Sequence, residues 1–124
     1  MSKILISINP EHVEKILDGT KTYEFRKVRC KKEITTIVIY CTSPVMKVVG
    51  EAVVFDVLES TPDEIWEMTC DTAGIDREFF DSYYSGRDRA IAFRIGQAVR
   101  FEEPKELSDY GLSWAPQSFA YLSG

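Results

Sequence analysis

The sequence predicts an α+β fold in which a small, curled, mixed β-sheet carries helices on its outside. Two observations lead to this prediction. Apolar side chains alternate with period two in several segments, which is typical of strands. Other segments begin with capping residues and continue with apolar side chains at helical spacing. The resulting order of elements is β-α-β-β-β-α-α-β-β, which is compatible with a small barrel-like sheet.

The N-terminal segment predicts a strand followed at once by a helix. Apolar residues alternate from position 4 to position 8. Asn9 then suits the cap of a helix, and Pro10 suits its first position, where the missing N–H costs nothing. Gly19 follows the apolar stripe of this helix and supplies the left-handed conformation that ends it.

The middle of the chain predicts two adjacent strands. Residues 34–40 are β-branched almost throughout, which predicts a central strand covered on both faces. Thr42-Ser43-Pro44 is typical of a turn at the end of that strand. Residues 48–58 predict a long returning strand, in which Gly50 marks a bulge or a close approach of two backbones.

Two helices follow, each with its own start signal. Thr61-Pro62-Asp63-Glu64 is a capping box, and the helix that it starts is expected to end at Gly74. Asp76 can cap a second helix that ends at Gly86. We expect the aromatic stripe of this second helix to pack in the core; it consists of Phe79, Phe80, Tyr83 and Tyr84. Two further strands complete the sheet, at residues 89–101 and 119–122.

The segment after the first helix carries a pattern that can form a site. Tyr23 and Phe25 face one side of a predicted strand and Glu24 and Arg26 face the other, because strand side chains alternate. The aromatic pair is therefore expected in the core, with the charged pair on the opposite face. Lys21 lies at the mouth of the strand, from where its long stem reaches the same place. An exposed ion pair contributes only about 0–1 kcal/mol and is common, so the alternation alone does not specify a site.

Basic residues are concentrated in one short segment of an acidic chain. The formal net charge is −5, yet residues 21–32 contain six basic residues and one acid. The local charge is therefore +5, and the remainder of the chain carries −10. The six basic residues are Lys21, Arg26, Lys27, Arg29, Lys31 and Lys32. This asymmetry predicts a localised anion site, with a solubilising hairpin loop as the alternative.

Composition excludes several classes of protein. A chain of 124 residues, with 44% hydrophobic and 28% charged residues, is expected to form one soluble domain spanning residues 1–124. It has no apolar stretch of membrane-spanning length and no signal-peptide core, so we expect a cytoplasmic protein without a membrane partner. Cys30, Cys41 and Cys70 are too widely spaced for a disulfide scaffold or a zinc site, and no metal or cofactor is expected. The single histidine, His12, is expected at the surface rather than as a catalytic base.

The predicted helix pair at residues 61–84 has the outline of a helix-turn-helix. Its second helix carries Asp76, Glu78 and Asp81 against a single Arg77. A helix that enters the major groove must neutralise phosphates rather than repel them. We therefore expect no DNA readout by this element.

The spacing of Gly19, Lys21, Glu24 and Arg26 resembles the GxKxxExR signature of the ASCH domains, which are relatives of the PUA RNA-binding domains. Other segments resemble those of small stand-alone prokaryotic members, at residues 4–10, 41–44, 86–88 and 115–119. The resemblance implies a PUA-like fold, a curled β-barrel with flanking helices. It also implies a functional cleft beside the motif.

The resemblance favours a module that binds RNA or a nucleotide in this cleft, with a regulatory role as one use of such binding. A guanidinium fork such as that of Arg26 suits a phosphate, and hydroxyl and amide groups suit the rim of a pocket. The residues expected to bind the ligand are Lys21, Glu24, Arg26, Lys27, Ser43, Gln117 and Ser118.

A hydrolase is the alternative that the resemblance implies. Some ASCH members cut RNA, and others cleave the amide of N4-acylated cytidines with a lysine and a threonine of the motif plus a distant glutamate. Lys21 matches that lysine, but Glu24 stands where the threonine would be. Lys21 and Glu24 are the catalytic candidates, although ion pairing between them would keep the lysine charged and weaken it as a proton acceptor. Binding is therefore favoured over catalysis, and a partner-binding scaffold with an inert cleft is a third interpretation.

Overall fold

The structure is a computed structural model that describes residues 2–29 and 33–122. Its strands are β1 (Lys3–Ile8), β2 (Tyr23–Arg26), β3 (Thr36–Cys41), β4 (Lys47–Ser60), β5 (Ala90–Lys105) and β6 (Phe119–Leu122). Its helices are α1 (Pro10–Leu17), α2 (Pro62–Thr69) and α3 (Arg77–Tyr83), with 3₁₀ turns at Cys70–Thr72 and Leu107–Tyr110. The predicted order of strands and α-helices is confirmed.

All six strands join one mixed sheet in the order β2-β5-β4-β3-β1-β6. The pairing of β1 with β3 is parallel and the other pairings are antiparallel. The sheet curls into a half-barrel, and the predicted α+β class is confirmed. Because β1 lies between β3 and β6, the end of β1 and the start of α1 are held beside the C-terminal segment.

Bulges in β4 help to bend this sheet. The register between β4 and β5 shifts between Val48 and Gly50, and again twice further along. A Cβ atom at Gly50 would lie 2.4 Å from the carbonyl oxygen of Val99, so only glycine fits there. The predicted bulge and the predicted close approach of backbones therefore occur at the same residue.

The core is divided between the two faces of the sheet. One cluster packs α1 against the sheet and includes Ile4, Ile16, Ile37 and Phe93. A second cluster packs α2 and α3 against β2 and β5 and includes Phe25, Ile65, Phe80 and Tyr84. A third lies on the opposite face, beneath the C-terminal segment, and includes Leu5, Val38, Tyr40 and Val48. The expectation that β3 is covered on both faces is confirmed.

Helix boundaries match the predictions in part. Thr61 and Asp76 cap α2 and α3 by accepting hydrogen bonds from backbone N–H groups of their first turns. Asn9 occupies the cap position of α1 but makes no capping bond; its Oδ1 accepts from the Thr42 hydroxyl instead, at 3.2 Å. The prediction that the helix started by Thr61 ends at Gly74 is right only for the whole helical run, because α2 ends at Thr69 and a 3₁₀ turn continues to Thr72, two residues before Gly74.

Strand β5 is longer than predicted. It continues beyond residue 101 to Lys105, which pairs with Val48 of β4. No helix in the described part of the chain is long and apolar enough to cross a membrane.

Candidate functional site

A cavity of about 270 Å³ opens where β1, α1, β2 and α3 meet, and we call it the cleft. Residues of all four elements line it, together with three residues of connecting segments, Asn9, Lys21 and Ile75. Its lining residues are Ser7, Ile8, Asn9, His12, Lys21, Glu24, Phe25, Arg26, Ile75, Phe79 and Tyr83.

Lys21 is the most deeply buried charged residue of the cleft, with 2% of its surface exposed. Its Nζ donates a hydrogen bond of 2.6 Å to the carbonyl oxygen of Ala73. The same ammonium lies 4.8 Å from the centroid of the Phe25 ring, a cation–π distance. A lysine buried in this way is held by specific partners rather than left as a mobile surface charge.

The loop between α2 and α3 holds the start of the motif in place. The N–H of Thr22 donates to the Thr72 carbonyl at 2.9 Å, and the hydroxyls of these two threonines lie 2.5 Å apart. The Lys15 ammonium donates to the Gly74 carbonyl at 2.9 Å. The backbone of Lys21 in turn donates to the Lys15 carbonyl at 3.0 Å. These bonds join α1, the motif and the loop into one support.

Burial lowers the pKa of Lys21 from its ordinary value of 10.5 to about 8. The negative charge of Glu24 acts in the opposite direction, and the charges of Lys15 and Arg26 add to the lowering. The expected effect of Glu24, which favours the charged ammonium, is present, but it is smaller than the effect of burial. Removal of the ammonium from water outweighs the nearby carboxylate.

Glu24 makes its close ion pair with Arg26, at 2.8 Å between Oε2 and Nη2. Both side chains are almost fully buried. Arg26 Nη2 also donates to the Ser7 carbonyl at 3.0 Å, which ties β2 to the end of β1. Arg26 Nε is buried and has no hydrogen-bond partner among the described residues. The structure thus brings Lys21, Glu24 and Arg26 together in one cleft, with one donor of Arg26 unused.

Aromatic side chains form the other wall of the cleft. Phe79 is 49% exposed, and its ring lies 5.5 Å from that of His12 in an edge-on arrangement. Tyr83 is half-buried and its hydroxyl donates to the Phe25 carbonyl at 3.3 Å. The expectation that the whole aromatic stripe of α3 packs in the core is therefore right for Phe80 and Tyr84 and wrong for Phe79. The side chains of α3 point in several directions, and Phe79 points toward α1.

His12 is half-buried in the cleft wall, so its assignment to the open surface is wrong. Burial and the positive charge of Lys21 both lower the pKa of His12. Its Nδ1 is buried without a hydrogen-bond partner among the described residues. A neutral ring with its proton on Nε2 avoids a buried, unpaired N–H at Nδ1. Sequence reasoning missed His12 because only the fold brings the first turn of α1 against α3.

Lys27 lies at the rim and is not among the residues that line the cleft. Its ammonium is 4.6 Å from the centroid of the Tyr83 ring. Further along the basic segment, Arg29 pairs with Glu59 at 2.9 Å. The remaining basic residues of that segment, Lys31 and Lys32, lie outside the described residues, as does Cys30.

The predicted ligand-binding residues Ser43, Gln117 and Ser118 are not among the residues that line the cleft. Ser43 is exposed in the turn after β3, adjacent to the Thr42 that binds Asn9. Gln117 is exposed and Ser118 is half-buried in the segment before β6. The carbonyl of Ser118 accepts from the Ser7 N–H at 3.4 Å, so this segment borders the cleft through its backbone.

The described residues contain no group of three or more histidine, cysteine or acidic side chains arranged to hold a metal ion. Cys41 is buried in β3 and Cys70 is exposed beyond α2, both as free thiols. The ionisable side chains that line the cleft are His12, Lys21, Glu24, Arg26 and Tyr83.

The fold matches that of a solved protein. The crystal structure of ASCH from Zymomonas mobilis superposes with a TM-score of 0.89 at 26% identity, covering 98% of this chain and 87% of that one. An ASCH domain-containing ribonuclease from Zymomonas mobilis is 29% identical over 122 residues, which are 95% of this chain and 82% of the relative. The chain belongs to the ASCH domain family.

This ASCH domain also resembles part of a larger protein. The large ribosomal subunit protein uL22 of Ureaplasma parvum is 32% identical over 120 residues. Those residues are 96% of this chain, which spans only 39% of the length of that relative. A scan against protein-family models gave no match.

Proposed function

We propose that this ASCH domain binds single-stranded RNA, or a nucleotide, with one nucleotide held in the cleft. The observation that carries the proposal is the pairing of a buried ammonium and a buried guanidinium in a cavity with aromatic walls. Cationic and aromatic groups together are what recognition of unstacked nucleotides requires. The relative from Zymomonas mobilis that is named a ribonuclease supports RNA as the class of ligand.

The donors of the cleft suit a phosphate or a base carbonyl. Lys21 and Arg26 carry two positive charges against the one of Glu24, so the cleft retains a surplus positive charge. Arg26 Nε has no partner among the described residues, and a ligand oxygen that entered the cleft would supply one. An anion at this position gains charge-assisted hydrogen bonds that water alone does not match.

The size and walls of the cleft suit a single base. Pockets for drug-sized molecules have volumes of about 300–1,000 Å³, and the cleft has about 270 Å³. It is too small for a duplex and large enough for one base or ribose. Phe79 and Tyr83 provide ring faces or edges against which an unstacked base can pack.

The neighbouring residues extend this proposal. Lys27 at the rim would contact a phosphate outside the cleft, and Ser43, Gln117 and Ser118 would contact the ligand from the turn and the C-terminal segment. Regulation of the bound RNA is one consequence that such a domain can have.

Equilibrium binding of labelled single-stranded oligonucleotides tests the proposal. Arg26→Met and Lys21→Met should each weaken binding by about tenfold or more, since a hydrogen bond from a charged donor contributes about 1.5–3 kcal/mol. Lys3→Met is the matched control, because Lys3 lies at the opposite end of β1 from the cleft. Binding that is unchanged in both cleft variants would refute the proposed site.

RNA cleavage is the second candidate function, and the lowered pKa of Lys21 is what favours it. With a pKa of about 8, Lys21 is partly neutral near pH 7 and can accept a proton. We propose that its neutral amine takes the proton of a ribose 2′-hydroxyl. The 2′-oxygen then attacks phosphorus, the bond from phosphorus to the 5′-oxygen breaks, and the leaving 5′-oxygen takes a proton from water. The products are a 2′,3′-cyclic phosphate and a free 5′-hydroxyl.

Product analysis separates cleavage from binding alone. If the domain cleaves RNA, the wild type produces cyclic-phosphate ends, and Lys21→Ala and Glu24→Gln each reduce the rate by about 10² or more. The same two variants are assayed for acetate release from N4-acetylcytidine, which is the substrate expected if the domain is an amidohydrolase. Binding without any turnover of either substrate would leave the domain as a binding module.

A further inference from the structure

We propose that the RNA strand continues from the cleft across Tyr83 and onto a basic strip formed by Lys27, Arg29, Arg87 and Arg89. This inference rests on the proposed binding of RNA in the cleft and adds the surface that holds the phosphates outside it. The ligand that fits is therefore a single-stranded oligonucleotide rather than a free mononucleotide.

Tyr83 is the link between the cleft and the strip. Its side chain lines the cleft, and the ammonium of Lys27, which lies outside the cleft lining, is 4.6 Å from the centroid of its ring. The charges of Arg26, inside the cleft, and of Arg87, outside it, both act on the Tyr83 phenol. A strand that leaves the cleft over this ring therefore meets Lys27 and Arg87 next.

Two arginines extend the strip. Arg29 and Arg89 share the carboxylate of Glu59, at 2.9 Å and 3.8 Å respectively. One carboxylate neutralises only one of these two charges, so the triad retains a positive charge. All three side chains are partly open to water, with the two arginines about half exposed. The shared carboxylate holds the two guanidinium groups next to each other without cancelling both charges.

The other two cations have no such partner. Lys27 and Arg87 form no ion pair with any carboxylate among residues 2–29 and 33–122. Asp63 and Asp81 line a small pocket together with Arg87, but both of these carboxylates bind Arg77. Counting Glu59 and the adjacent Asp88, the strip carries +2 in a chain with a net charge of −5. Free cations beside a phosphate-binding cleft match the backbone of a single strand.

The dependence of affinity on salt and on oligonucleotide length tests the strip. The probes are a 5′-mononucleotide and a hexanucleotide RNA of the same base, bound to the wild type over a range of salt concentrations. Each phosphate contact on a single strand contributes about −0.7 to the slope of log affinity against log salt. We expect the hexanucleotide slope to be steeper than the mononucleotide slope by about two contacts or more.

The variant Lys27→Gln/Arg87→Gln removes the two unpaired cations and leaves the cleft intact. It should flatten the hexanucleotide slope by about 1.4 and weaken hexanucleotide binding by about tenfold, with a clearly smaller effect on mononucleotide binding. The matched control, Lys3→Gln/Lys105→Gln, makes the same charge change at the far ends of β1 and β5 and should leave both slopes unchanged. Lys27→Arg/Arg87→Lys keeps the charges and should retain the wild-type slope.

The outcomes distinguish the strip from the cleft. Equal slopes for the two probes, or a strip variant that behaves like the control, would overturn the strip while leaving the cleft proposal standing. Equal weakening of both probes in the strip variant would also overturn it, because the effect would then act through the cleft. Absence of binding of either probe to the wild type would instead remove the proposed function on which the strip rests.

Discussion

Gly74 lies directly against the aliphatic stem of Lys21. A Cβ atom at Gly74 would come within 2.6 Å of both Cβ and Cγ of that lysine, closer than real side chains approach. Gly74 also has a φ of +73°, which other residues adopt only with strain. The loop between α2 and α3 therefore fixes the central lysine of the cleft by leaving room for its stem.

Gly74→Ala should lower both the stability of the protein and the affinity of the cleft. The left-handed conformation alone costs a non-glycine residue about 1–2 kcal/mol. The contact with Lys21 adds to this cost and displaces the ammonium from the Ala73 carbonyl. Urea unfolding and RNA binding measure the two effects.

Gly111→Ala is the matched control for that substitution. Gly111 has a φ of +77°, and no atom lies within 4 Å of the place where its Cβ would be. Gly111→Ala should therefore lose only the free energy of unfolding that the left-handed backbone conformation costs. Equal loss of stability in the two variants, with RNA binding unchanged in both, would show that the contact between Gly74 and Lys21 has no role.

The stability of the folded state should rise with pH between about 8 and 10, because of Lys21. Its pKa falls from 10.5 to about 8 on folding, so in this window the unfolded chain binds more protons than the folded one. Below pH 8 the buried ammonium destabilises the folded state by its full amount, on the order of 3 kcal/mol. This destabilisation disappears as the pH rises toward 10.5. Lys21→Met should abolish the rise. Urea unfolding from pH 7 to pH 9.5 measures it.

The upper end of that window is set by groups whose pKa burial raises, namely three tyrosines and one thiol: Tyr83, Tyr84, Tyr110 and Cys41. Burial raises the pKa of Tyr83 and of Tyr84, so above pH 10 the unfolded chain loses phenolic protons that the folded chain keeps. Stability should therefore fall above pH 10. A wild-type stability that is flat from pH 8 to pH 9.5 would contradict the assigned environment of Lys21.

Breaking the Glu24–Arg26 pair should destabilise the protein strongly. The two side chains are nearly buried, and removal of one partner from a buried pair leaves an uncompensated charge at a cost of about 3–5 kcal/mol. Glu24→Gln and Arg26→Met should each show this loss. The double variant should lose clearly less than the sum of the two, because neither charge is then left alone. Additive losses in this double-mutant cycle would show that the pair is not coupled.

Gln117→Ala should weaken RNA binding and leave the unfolding temperature almost unchanged. Gln117 is exposed, whereas the carbonyls of its neighbours Pro116 and Ser118 accept hydrogen bonds from Ser7 at 2.7 Å and 3.4 Å. Ser7→Ala removes the first of these bonds and is the structural comparison, with an expected loss of about 1 kcal/mol. A large loss of stability in Gln117→Ala with intact binding would assign the side chain to the fold.

Much of the fold could be predicted because its signals are local. Thr61 and Asp76 start helices wherever the surrounding chain lies, since each side chain bonds its own first turn. The alternation around Glu24 and Arg26 likewise follows from strand geometry alone. Gly50 marked a close backbone approach because glycine is the residue that permits one. The ends of elements were less predictable, as α2 shows, because a final turn can tighten without any change of sequence pattern.

Tertiary structure decided the composition of the cleft. One wall of the cleft exists only because α1 lies against α3. His12 and Phe79, whose rings meet there, are more than sixty positions apart in the sequence. It also decided the charge state of Lys21, because burial, not the neighbouring carboxylate, controls that pKa. Sequence placed the charged residues on one strand face, since that depends on neighbours along the chain. Burial and distance between remote segments exist only after folding, and these set which groups meet in the cleft and how readily they exchange protons.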